Sequence, residues 1–128
     1  MEFPEDVRYT EEHEWLRVEG DEGVVGVTDY AQGELGDVVF LELPKPGTAV
    51  DEGSVFGTIE AVKTVSDLYA PVTGEITAVN AALGDKPELV NRSPYTDGWM
   101  VRIKLSDPGQ AAKLMDAAAY RKHVGEEG

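Results

Sequence analysis

Short β-prone segments separated by glycine and proline are the feature that most constrains the fold of this chain. The segments are rich in Val, Ile, Thr and aromatic residues, which favour the extended backbone of a strand. Turn-forming residues interrupt them, as in GD at Gly20, KPG at Lys45 and VTG at Val72. The pattern therefore predicts a mostly β protein. The predicted strands cover 14–19, 24–27, 38–43, 54–60, 65–70, 75–79 and 100–105.

Two helices are predicted beside these strands. Thr28 can cap a short helix that ends near Leu35, and Gly36 can provide a left-handed stop. A C-terminal helix is predicted over about 107–124, with Pro108 in its first turn and Asp107 or Ser106 as its cap. Its apolar stripe has the i, i+3, i+4, i+7 spacing that packs a helix on a core. The stripe consists of Ala111, Leu114, Met115 and Ala118.

The length of the chain, 128 residues, matches one domain with one modest core. We therefore expect a single domain over 1–128, with its core at about 14–105. The tail GEEG is expected to fray.

Acidic residues dominate the charge of the chain. There are 25 Asp and Glu against 11 Lys and Arg, which gives a net charge of −14. Such a charge repels a phosphate backbone or an anionic membrane surface and favours basic partner surfaces. We expect no binding to nucleic acid or membrane. A monomer is also expected, because copies with this charge repel one another.

The chain contains no cysteine, and therefore no disulfide, thiolate nucleophile or cysteine-ligated metal. Any redox chemistry must come from an attached or bound group. No apolar run approaches the roughly 18 residues that span a bilayer, and the acidic opening lacks the apolar core of a signal peptide. A cytoplasmic protein is expected, although a processed organellar protein would look the same.

No pattern indicates catalysis or metal binding. In EEHEW, starting at Glu11, a histidine lies among carboxylates, but no further ligand follows at a metal-site spacing. No serine has the context of a nucleophile, and GVVGVTDYAQG, starting at Gly23, lacks the lysine and the spacing of a phosphate loop. We expect neither a catalytic residue nor a metal site.

A lone lysine occupies the turn between two alternating segments. In the first segment, odd positions from Val55 are predicted on one face and even positions from Phe56 on the other, and alternation resumes at Val65. Residues 61–64 then form the tip of a β-hairpin, and Lys63 projects into solvent. Most turn lysines only keep a surface soluble. A rigid tip, however, also presents one amine to a modifying enzyme and confines a tethered group near its partners.

This segment resembles the attachment hairpin of lipoyl and biotinyl domains. Biotinyl carriers place Met on both sides of the modified lysine, whereas Val62 and Thr64 flank Lys63 here, so the resemblance favours lipoyl. In lipoyl domains, a Gly sixteen residues before the lysine, a Glu three before it and a Gly eleven after it recur. The residues at those positions are Gly47, Glu60 and Gly74.

The resemblance covers nearly the whole chain and is to the glycine cleavage system H-protein family. A plain lipoyl domain is shorter and lacks the N-terminal segment and the terminal helix. The resemblance implies a barrel-sandwich hybrid of short antiparallel strands, with lipoic acid attached covalently as lipoyllysine at Lys63. The similar motifs, in the same order, are HEW at His13, GVTDYAQGELGD at Gly26, VVFLELP at Val38, the lysine segment, SPYTDGWM at Ser93 and a C-terminal helix.

Members of this family are carriers and not catalysts. The resemblance implies that a pyridoxal phosphate-dependent glycine decarboxylase loads the lipoyl arm with an aminomethyl group. A tetrahydrofolate-dependent aminomethyltransferase unloads it, and an FAD-dependent dihydrolipoyl dehydrogenase reoxidises it. A lipoate ligase or lipoyl transferase attaches the arm. The cysteine-free chain agrees with this role, because the redox sulfurs belong to the arm.

The resemblance also implies a cleft that protects the loaded arm. The aminomethyl group carries a cationic amine and can break down in water, so a cleft that excludes water would slow its loss. Glu14 and Asp67 match the positions implied to accept hydrogen bonds from the amine. Exposed carboxylates are usually only solvated, and Asp67 could merely pair with a nearby lysine. Glu60 could contact a partner or ligase, or could be a plain polar residue on a strand.

Two other functions fit the residues. One is a biotinyl carrier or a lipoyl domain that serves 2-oxo acid dehydrogenases, and the other is an unmodified β-rich binding module. The intact mass of the protein separates the lipoyl from the biotinyl carrier. A missing increment leaves the question open, because recombinant protein often escapes modification.

Overall fold

The computed structural model of the protein describes residues 1–125. Over these residues the chain forms nine strands and five short helices. The strands are β1 Arg8–Tyr9, β2 Glu14–Glu19, β3 Glu22–Val27, β4 Val38–Glu42, β5 Ala49–Val50, β6 Val55–Ala61, β7 Val65–Tyr69, β8 Gly74–Val79 and β9 Val101–Leu105. The helices are α1 Asp29–Leu35, α2 Ala82–Asp85, α3 Leu89–Arg92, α4 Gly109–Ala112 and α5 Ala117–His123. Most of the tail that was expected to fray, 126–128, lies outside the described residues.

Two antiparallel sheets form the scaffold. The larger has the strand order β1-β2-β3-β9-β8-β5, and the smaller has the order β4-β6-β7. The main core contains side chains of both sheets, such as Val25 and Ile103 of the larger and Ile59 and Leu68 of the smaller. Removal of these apolar surfaces from water holds the sheets together. The predicted mostly β, barrel-sandwich class is confirmed.

The predicted first helix is confirmed, although its end differs in detail. The Thr28 hydroxyl accepts a hydrogen bond from the Ala31 N–H at 3.1 Å and so caps the first turn of α1. Gly36 ends the helix with φ 80° and ψ −158°. This is not the left-handed helical conformation but an extended one that only glycine adopts easily. The chain therefore leaves α1 directly towards β4.

The C-terminal segment holds two short helices instead of one helix over 107–124. Between α4 and α5, the backbone of Met115 pairs with Tyr9, through Tyr9 N–H to Met115 O at 2.8 Å and Met115 N–H to Tyr9 O at 3.0 Å. These bonds use groups that a continuous helix would need. Asp116 then caps α5 by accepting from the Ala119 N–H at 2.8 Å. The predicted stripe is wrong at Ala118, which is exposed.

A second apolar cluster joins the two ends of the chain on β2 and β3. The rings of Tyr9 and Tyr120 are stacked with their centroids 4.4 Å apart, and Trp15 is fully buried beside them. The helix α5 therefore packs on the N-terminal segment and not on the main core. The other buried members are Val7, Val24, Tyr95 and Ala117.

The alternation predicted for the first strand of the hairpin is wrong at its start. A bulge lies between Val55 and Gly57, and it moves Phe56 into the core while Val55 is exposed. An extra residue in one strand reverses the faces of the residues before it. From the bulge to the tip, the buried positions are Ile59 and Ala61, as period two requires.

The strands β1 and β5 and the helices α2 and α3 were not predicted. Each contains only two to four residues, too few for a periodic pattern. None of the described helices combines the length and the apolar character needed to cross a membrane.

Candidate functional site

The lysine predicted at a hairpin tip lies on that tip. The strands β6 and β7 pair in antiparallel register up to Glu60 and Val65, and the Ala61 N–H donates to the Thr64 carbonyl at 2.7 Å. Lys63 is exposed. The tip is therefore closed by backbone bonds and presents one amine.

The tip is also held from the side. The Val62 N–H donates to the Asp37 carbonyl at 3.0 Å, in the segment between α1 and β4. The side chain of Asn91 fixes that segment: its oxygen accepts from the Val38 N–H at 2.9 Å and its nitrogen donates to the Gly36 carbonyl at 2.8 Å. An amide is suited to this place, because one end accepts and the other donates.

The side chain of Lys63 lies over the end of α1. A Cβ atom placed on Gly36 would be 3.1 Å from Lys63 Cε and 3.7 Å from its Nζ. Any larger residue at Gly36 would therefore press on the lysine as well as strain the backbone. The amine thus lies near Gly36, the residue that follows α1.

A cleft of about 280 Å³ lies along one face of that helix. Its walls are the start of β2, one face of α1 and the free edge of β7. Four of the lining side chains are carboxylic acids, and the floor is apolar. The lining residues are Glu12, His13, Glu14, Val27, Tyr30, Ala31, Glu34, Leu35, Ile59, Ser66, Asp67 and Leu68.

Glu14 is the buried carboxyl of this cleft. Its side chain is 2% exposed, so it is not a solvated surface carboxylate. One oxygen accepts from the Thr10 hydroxyl at 2.8 Å, and the other accepts from the Tyr69 N–H at 3.2 Å. Burial raises the pKa of Glu14 to about 7, although both hydrogen bonds oppose the rise. Near neutral pH the group can therefore hold or release a proton.

The same carboxyl also borders a second cavity, of about 440 Å³, on the side of β7 that carries Tyr69. Lys113 and Glu52 are among the residues on the far walls of that cavity. The side chain of Glu14 is therefore enclosed by protein but lies within reach of small molecules from two directions.

His13 forms the wall next to Glu14. It has a φ of 74°, a strained value for a residue with a side chain. Burial, and then the nearby His123, lower the pKa of His13. Its Nδ1 lies 2.8 Å from the Tyr120 hydroxyl, which lies 2.7 Å from the Thr28 hydroxyl. The hydroxyl of Tyr120 thus connects the β2 wall to the cap of α1.

The structure places Glu14 and Asp67 in the lining of the same cleft. They differ in environment, because Asp67 is exposed. Glu60 is exposed as well, but it lies on the outer face of the smaller sheet, opposite Phe40 and Val65. It does not line the cleft, although Asp67, which does, lies on the same face of the smaller sheet through its pairing with Thr58.

The two predicted glycines belong to the larger sheet and not to the lysine hairpin. Gly47 has a φ of 93°, and its N–H donates to the Ile76 carbonyl at 2.7 Å. A Cβ atom on Gly74 would lie 2.0 Å from the Lys104 carbonyl oxygen, so that close strand contact requires glycine. Both glycines serve turn and sheet geometry at the β5–β8 pair.

Sequence reasoning missed most of the cleft. Glu12 and His13 were considered only as possible metal ligands, and nothing marked Tyr30, Glu34 or Asn91. The helical spacing of Tyr30 and Glu34 on α1 was the available signal, since residues four apart share a face. Among residues 1–125, no three His, Cys, Asp or Glu side chains are grouped so that they could hold a metal ion.

Comparisons with known proteins agree on one family. A family model described as "Glycine cleavage H-protein" matches residues 7–127. A glycine cleavage system H protein of Brevibacillus brevis is 55% identical over 126 residues, which is 98% of this chain and 100% of that protein. One from Bacillus cereus strain B4264 is 52% identical over 127 residues, 99% of this chain and 100% of the relative.

A solved structure shows the same fold. The crystal structure of a glycine cleavage system H protein from Mycobacterium marinum superposes with a TM-score of 0.88 at 38% sequence identity. The match covers 95% of this chain and 98% of the other.

Proposed function

The chain belongs to the glycine cleavage H-protein family, and on this premise we propose that it is the lipoyl carrier of a glycine cleavage system, with the arm in amide linkage to Lys63. The arm would take the aminomethyl group of glycine from the decarboxylase to the aminomethyltransferase and electrons to dihydrolipoyl dehydrogenase. The observation that carries the proposal is the exposed Lys63, held on a fixed tip beside an acidic cleft.

The hairpin suits the attachment of an arm. The backbone bond from Val62 to Asp37 limits the motion of the tip, so an arm bound there starts from a defined point. The position of the lysine over Gly36 directs that starting point along α1, whose residues line the cleft. Confinement of this kind raises the local concentration of a tethered group at a nearby site.

The cleft suits a cationic cargo. When attached, the lipoyl group supplies a dithiolane that accepts electrons and an aminomethyl group. The residues of the chain would hold the ammonium: Glu14 from the interior and Asp67 from the rim, with Glu12 and Glu34 adding negative potential. A cation near Glu14 favours its ionised form, so loading would release a proton from this carboxyl. The apolar floor would keep water from the cargo.

The chain itself would perform no chemical step. Its residues bind, orient and exclude water, while the decarboxylase, the aminomethyltransferase and the dehydrogenase supply pyridoxal phosphate, tetrahydrofolate and FAD chemistry. The net charge of −14 favours partner surfaces rich in Lys and Arg. We further propose that residues 1–128 act as one cytoplasmic, monomeric carrier domain, modified by a lipoate ligase or lipoyl transferase.

The carrier role is tested by Lys63→Arg. After expression with lipoate and its ligase, the intact mass of the wild type should rise by one lipoyl group and that of the variant should not. With the other three enzymes, the variant should then cleave no glycine. Lys45→Arg, at another exposed turn, is the matched control and should behave as the wild type. Glycine cleavage by the Lys63→Arg protein, or a biotinyl increment on the wild type, would contradict the proposal.

A further inference from the structure

The hydroxyl of Thr10 lies between the backbone and the side chain of Glu14. Thr10 belongs to the turn that joins β1 to β2, and its side-chain oxygen accepts from the Glu14 N–H at 3.0 Å. The same hydroxyl donates to Glu14 Oε1 at 2.8 Å. Since a hydroxyl carries one proton, Thr10 gives that proton to the carboxyl of Glu14 and a lone pair to its backbone.

The turn holds this hydroxyl in place. The Thr10 N–H donates to the Glu14 carbonyl at 2.9 Å, and the Thr10 carbonyl accepts from the His13 N–H at 3.2 Å. The backbone of Thr10 is therefore bonded to the start of β2, the strand that carries Glu14. The donor and the carboxyl are thus kept at a fixed separation.

The second oxygen of Glu14 accepts from a donor that cannot change its role. The Tyr69 N–H donates to Oε2 at 3.2 Å from the edge of β7, and a backbone N–H can only donate. The line between the Thr10 hydroxyl and Oε1 holds one proton, which Thr10 supplies. Both contacts therefore favour the ionised form of the Glu14 carboxyl.

Within residues 1–125, no cation of the chain balances the charge of Glu14. The ion pairs of these residues are formed by Arg17 and Arg102, and Glu14 is almost completely buried. Burial raises the pKa of Glu14 to about 7, so the charged and neutral forms have similar free energies at neutral pH. The loss of one donor then decides which form prevails.

Resting on the proposed function, we propose that Thr10 is a positioning residue for the cargo: its hydroxyl keeps Glu14 charged at neutral pH, so that the ammonium of the loaded arm meets a carboxylate and not a carboxylic acid. Thr10 lines the cavity of about 440 Å³ and not the cleft of about 280 Å³. It therefore leaves room for the ammonium in the cleft and acts through Glu14.

The proton balance of loading involves the same carboxyl. When the ammonium binds beside a neutral Glu14, the carboxyl loses one proton to water and the ammonium keeps its own protons. The carboxyl regains a proton from water when the cargo leaves. The larger cavity reaches Glu14 from a different direction than the cleft, so it gives water access to the carboxyl while the arm fills the cleft.

A purely structural role for Thr10 predicts a different result. Both bonds of the hydroxyl also stabilise the turn between β1 and β2, so removal of the hydroxyl costs stability in either case. A structural cost of this kind leaves the titration of Glu14 unchanged. A positioning role changes that titration, because it acts on the charged form alone.

The test is a pH titration of Glu14 in the full chain without its arm. The carboxyl carbon is followed by ¹³C NMR from about pH 4.5 to pH 9 and is identified by its absence in Glu14→Gln. Thr10→Val removes the hydroxyl at nearly constant shape, Thr10→Ala is a second variant without it, and Thr10→Ser keeps it. Thr48→Val is the matched control, because the Thr48 hydroxyl also bonds within a turn, to the Lys45 carbonyl at 2.7 Å.

The titration midpoint of Glu14 should rise by about one pH unit in Thr10→Val and Thr10→Ala, because a hydrogen bond to the charged form is lost. At pH 7 these proteins should contain roughly fivefold less ionised Glu14 than the wild type. Thr10→Ser and Thr48→Val should titrate like the wild type. After loading by glycine decarboxylase, Thr10→Val should lose the aminomethyl group several-fold faster at pH 7, and the difference should narrow near pH 8.5.

Four results would overturn the proposal. An unchanged midpoint in both variants without the hydroxyl would show that Thr10 does not act on Glu14, and an equal rise in Thr48→Val would show that the effect is not specific. A Thr10→Ser protein that titrates like Thr10→Val would assign the effect to packing. Equal retention of the aminomethyl group by Thr10→Val and the wild type, despite a shifted midpoint, would separate the charge of Glu14 from the cargo.

Failure of the proposed function would be seen separately. A wild type that gains no lipoyl group would overturn the carrier role. The titration requires no arm, so it would still decide whether Thr10 controls the charge of Glu14.

Discussion

Glu14 is a carboxyl group that the fold removes from water and then supplies with donors. Its oxygens accept from the Thr10 hydroxyl and the Tyr69 N–H, but desolvation outweighs both bonds, and the pKa of Glu14 rises to about 7. A buried carboxylate without a cationic partner destabilises the folded state. At pH values above its pKa, the ionised residue therefore lowers the stability of the folded state.

The effect of Glu14→Gln on stability should depend on pH. The stabilising effect of a raised pKa is complete below the ordinary value of 4.5 and is lost as pH rises through about 7. The Gln side chain of the variant does not titrate, so the variant does not lose this stability as pH rises. Relative to the wild type, it should therefore gain on the order of 2–3 kcal/mol in the free energy of unfolding between pH 4.5 and pH 8.5.

Urea unfolding at both pH values measures this difference. Glu11→Gln, at an exposed neighbour, is the control for the loss of one carboxylate from this segment. A Glu14→Gln difference that stays constant over the range would mean that Glu14 titrates normally. Alanine is a less suitable replacement, because it would leave the Tyr69 N–H without its acceptor.

The lysine hairpin depends on an element that is distant in sequence. β6 and β7 form a regular antiparallel pair, but the tip is anchored to the α1–β4 segment through Val62 and Asp37. That segment is in turn held by Asn91 at the end of α3. The position of the amine is thus set by a chain of hydrogen bonds and not by the hairpin alone.

Asn91→Asp should make the tip of the lysine hairpin more mobile, while the size and shape of the side chain at position 91 stay the same. The carboxylate can still accept from the Val38 N–H, but it cannot donate to the Gly36 carbonyl and it faces the Gln32 side-chain oxygen. We expect a loss of about 1–3 kcal/mol in the free energy of unfolding. The rate of hydrogen exchange at the Val62 amide should increase by more than the loss in the free energy of unfolding alone would produce.

Amide exchange followed by NMR, together with urea unfolding, checks this prediction. Arg92→Ala, exposed and adjacent, serves as the control. If the Val62 amide exchanges at the same rate in Asn91→Asp as in the wild type, then Asn91 does not restrain the tip.

Across the whole molecule, the C-terminal helix packs against residues next to the cleft. α5 stacks Tyr120 on Tyr9, and the Tyr120 hydroxyl lies within hydrogen-bond distance of both His13 and Thr28. His13 lines the cleft, and Thr28 caps α1, whose residues also line it. A helix from the far end of the chain therefore adds one oxygen atom to a connection that the backbone also makes, from the Thr28 N–H to the His13 carbonyl at 3.0 Å.

Tyr120→Phe keeps the stacked ring and removes only that oxygen. We expect a loss of about 1–2 kcal/mol in the free energy of unfolding and a shift of the His13 ring resonances in NMR spectra. On the proposed function, the aminomethyl group should also be lost from the loaded carrier several-fold faster, because the side-chain connection between His13 and Thr28 is removed and only their backbone bond remains.

The rate at which the aminomethyl group is released, measured after loading by glycine decarboxylase, tests whether the Tyr120 hydroxyl helps to retain the group. Lys122→Ala, on the exposed side of the same helix, should retain the group like the wild type. Equal retention by Tyr120→Phe, despite its lower stability, would show that the hydroxyl has a purely structural role.

Local patterns in the chain were sufficient to predict the β class, the first helix and the hairpin around Lys63. Alternation, turn residues and a helix cap act over a few neighbouring residues, so they can be read without the fold. The same reasoning misplaced Val55 and Phe56, because a bulge depends on the partner strand. It also joined α4 and α5, because the backbone of Met115 pairs with Tyr9 at the other end of the chain.

The cleft was beyond local reasoning. The bond that holds Glu14 to Tyr69 spans 55 residues, and the contact between His13 and Tyr120 spans 107. Each carboxylate of the cleft is an ordinary acidic residue in the sequence. Burial of Glu14, its raised pKa and the distance between the walls arise only when those distant segments pack together, since desolvation is a property of the surroundings and not of the residue.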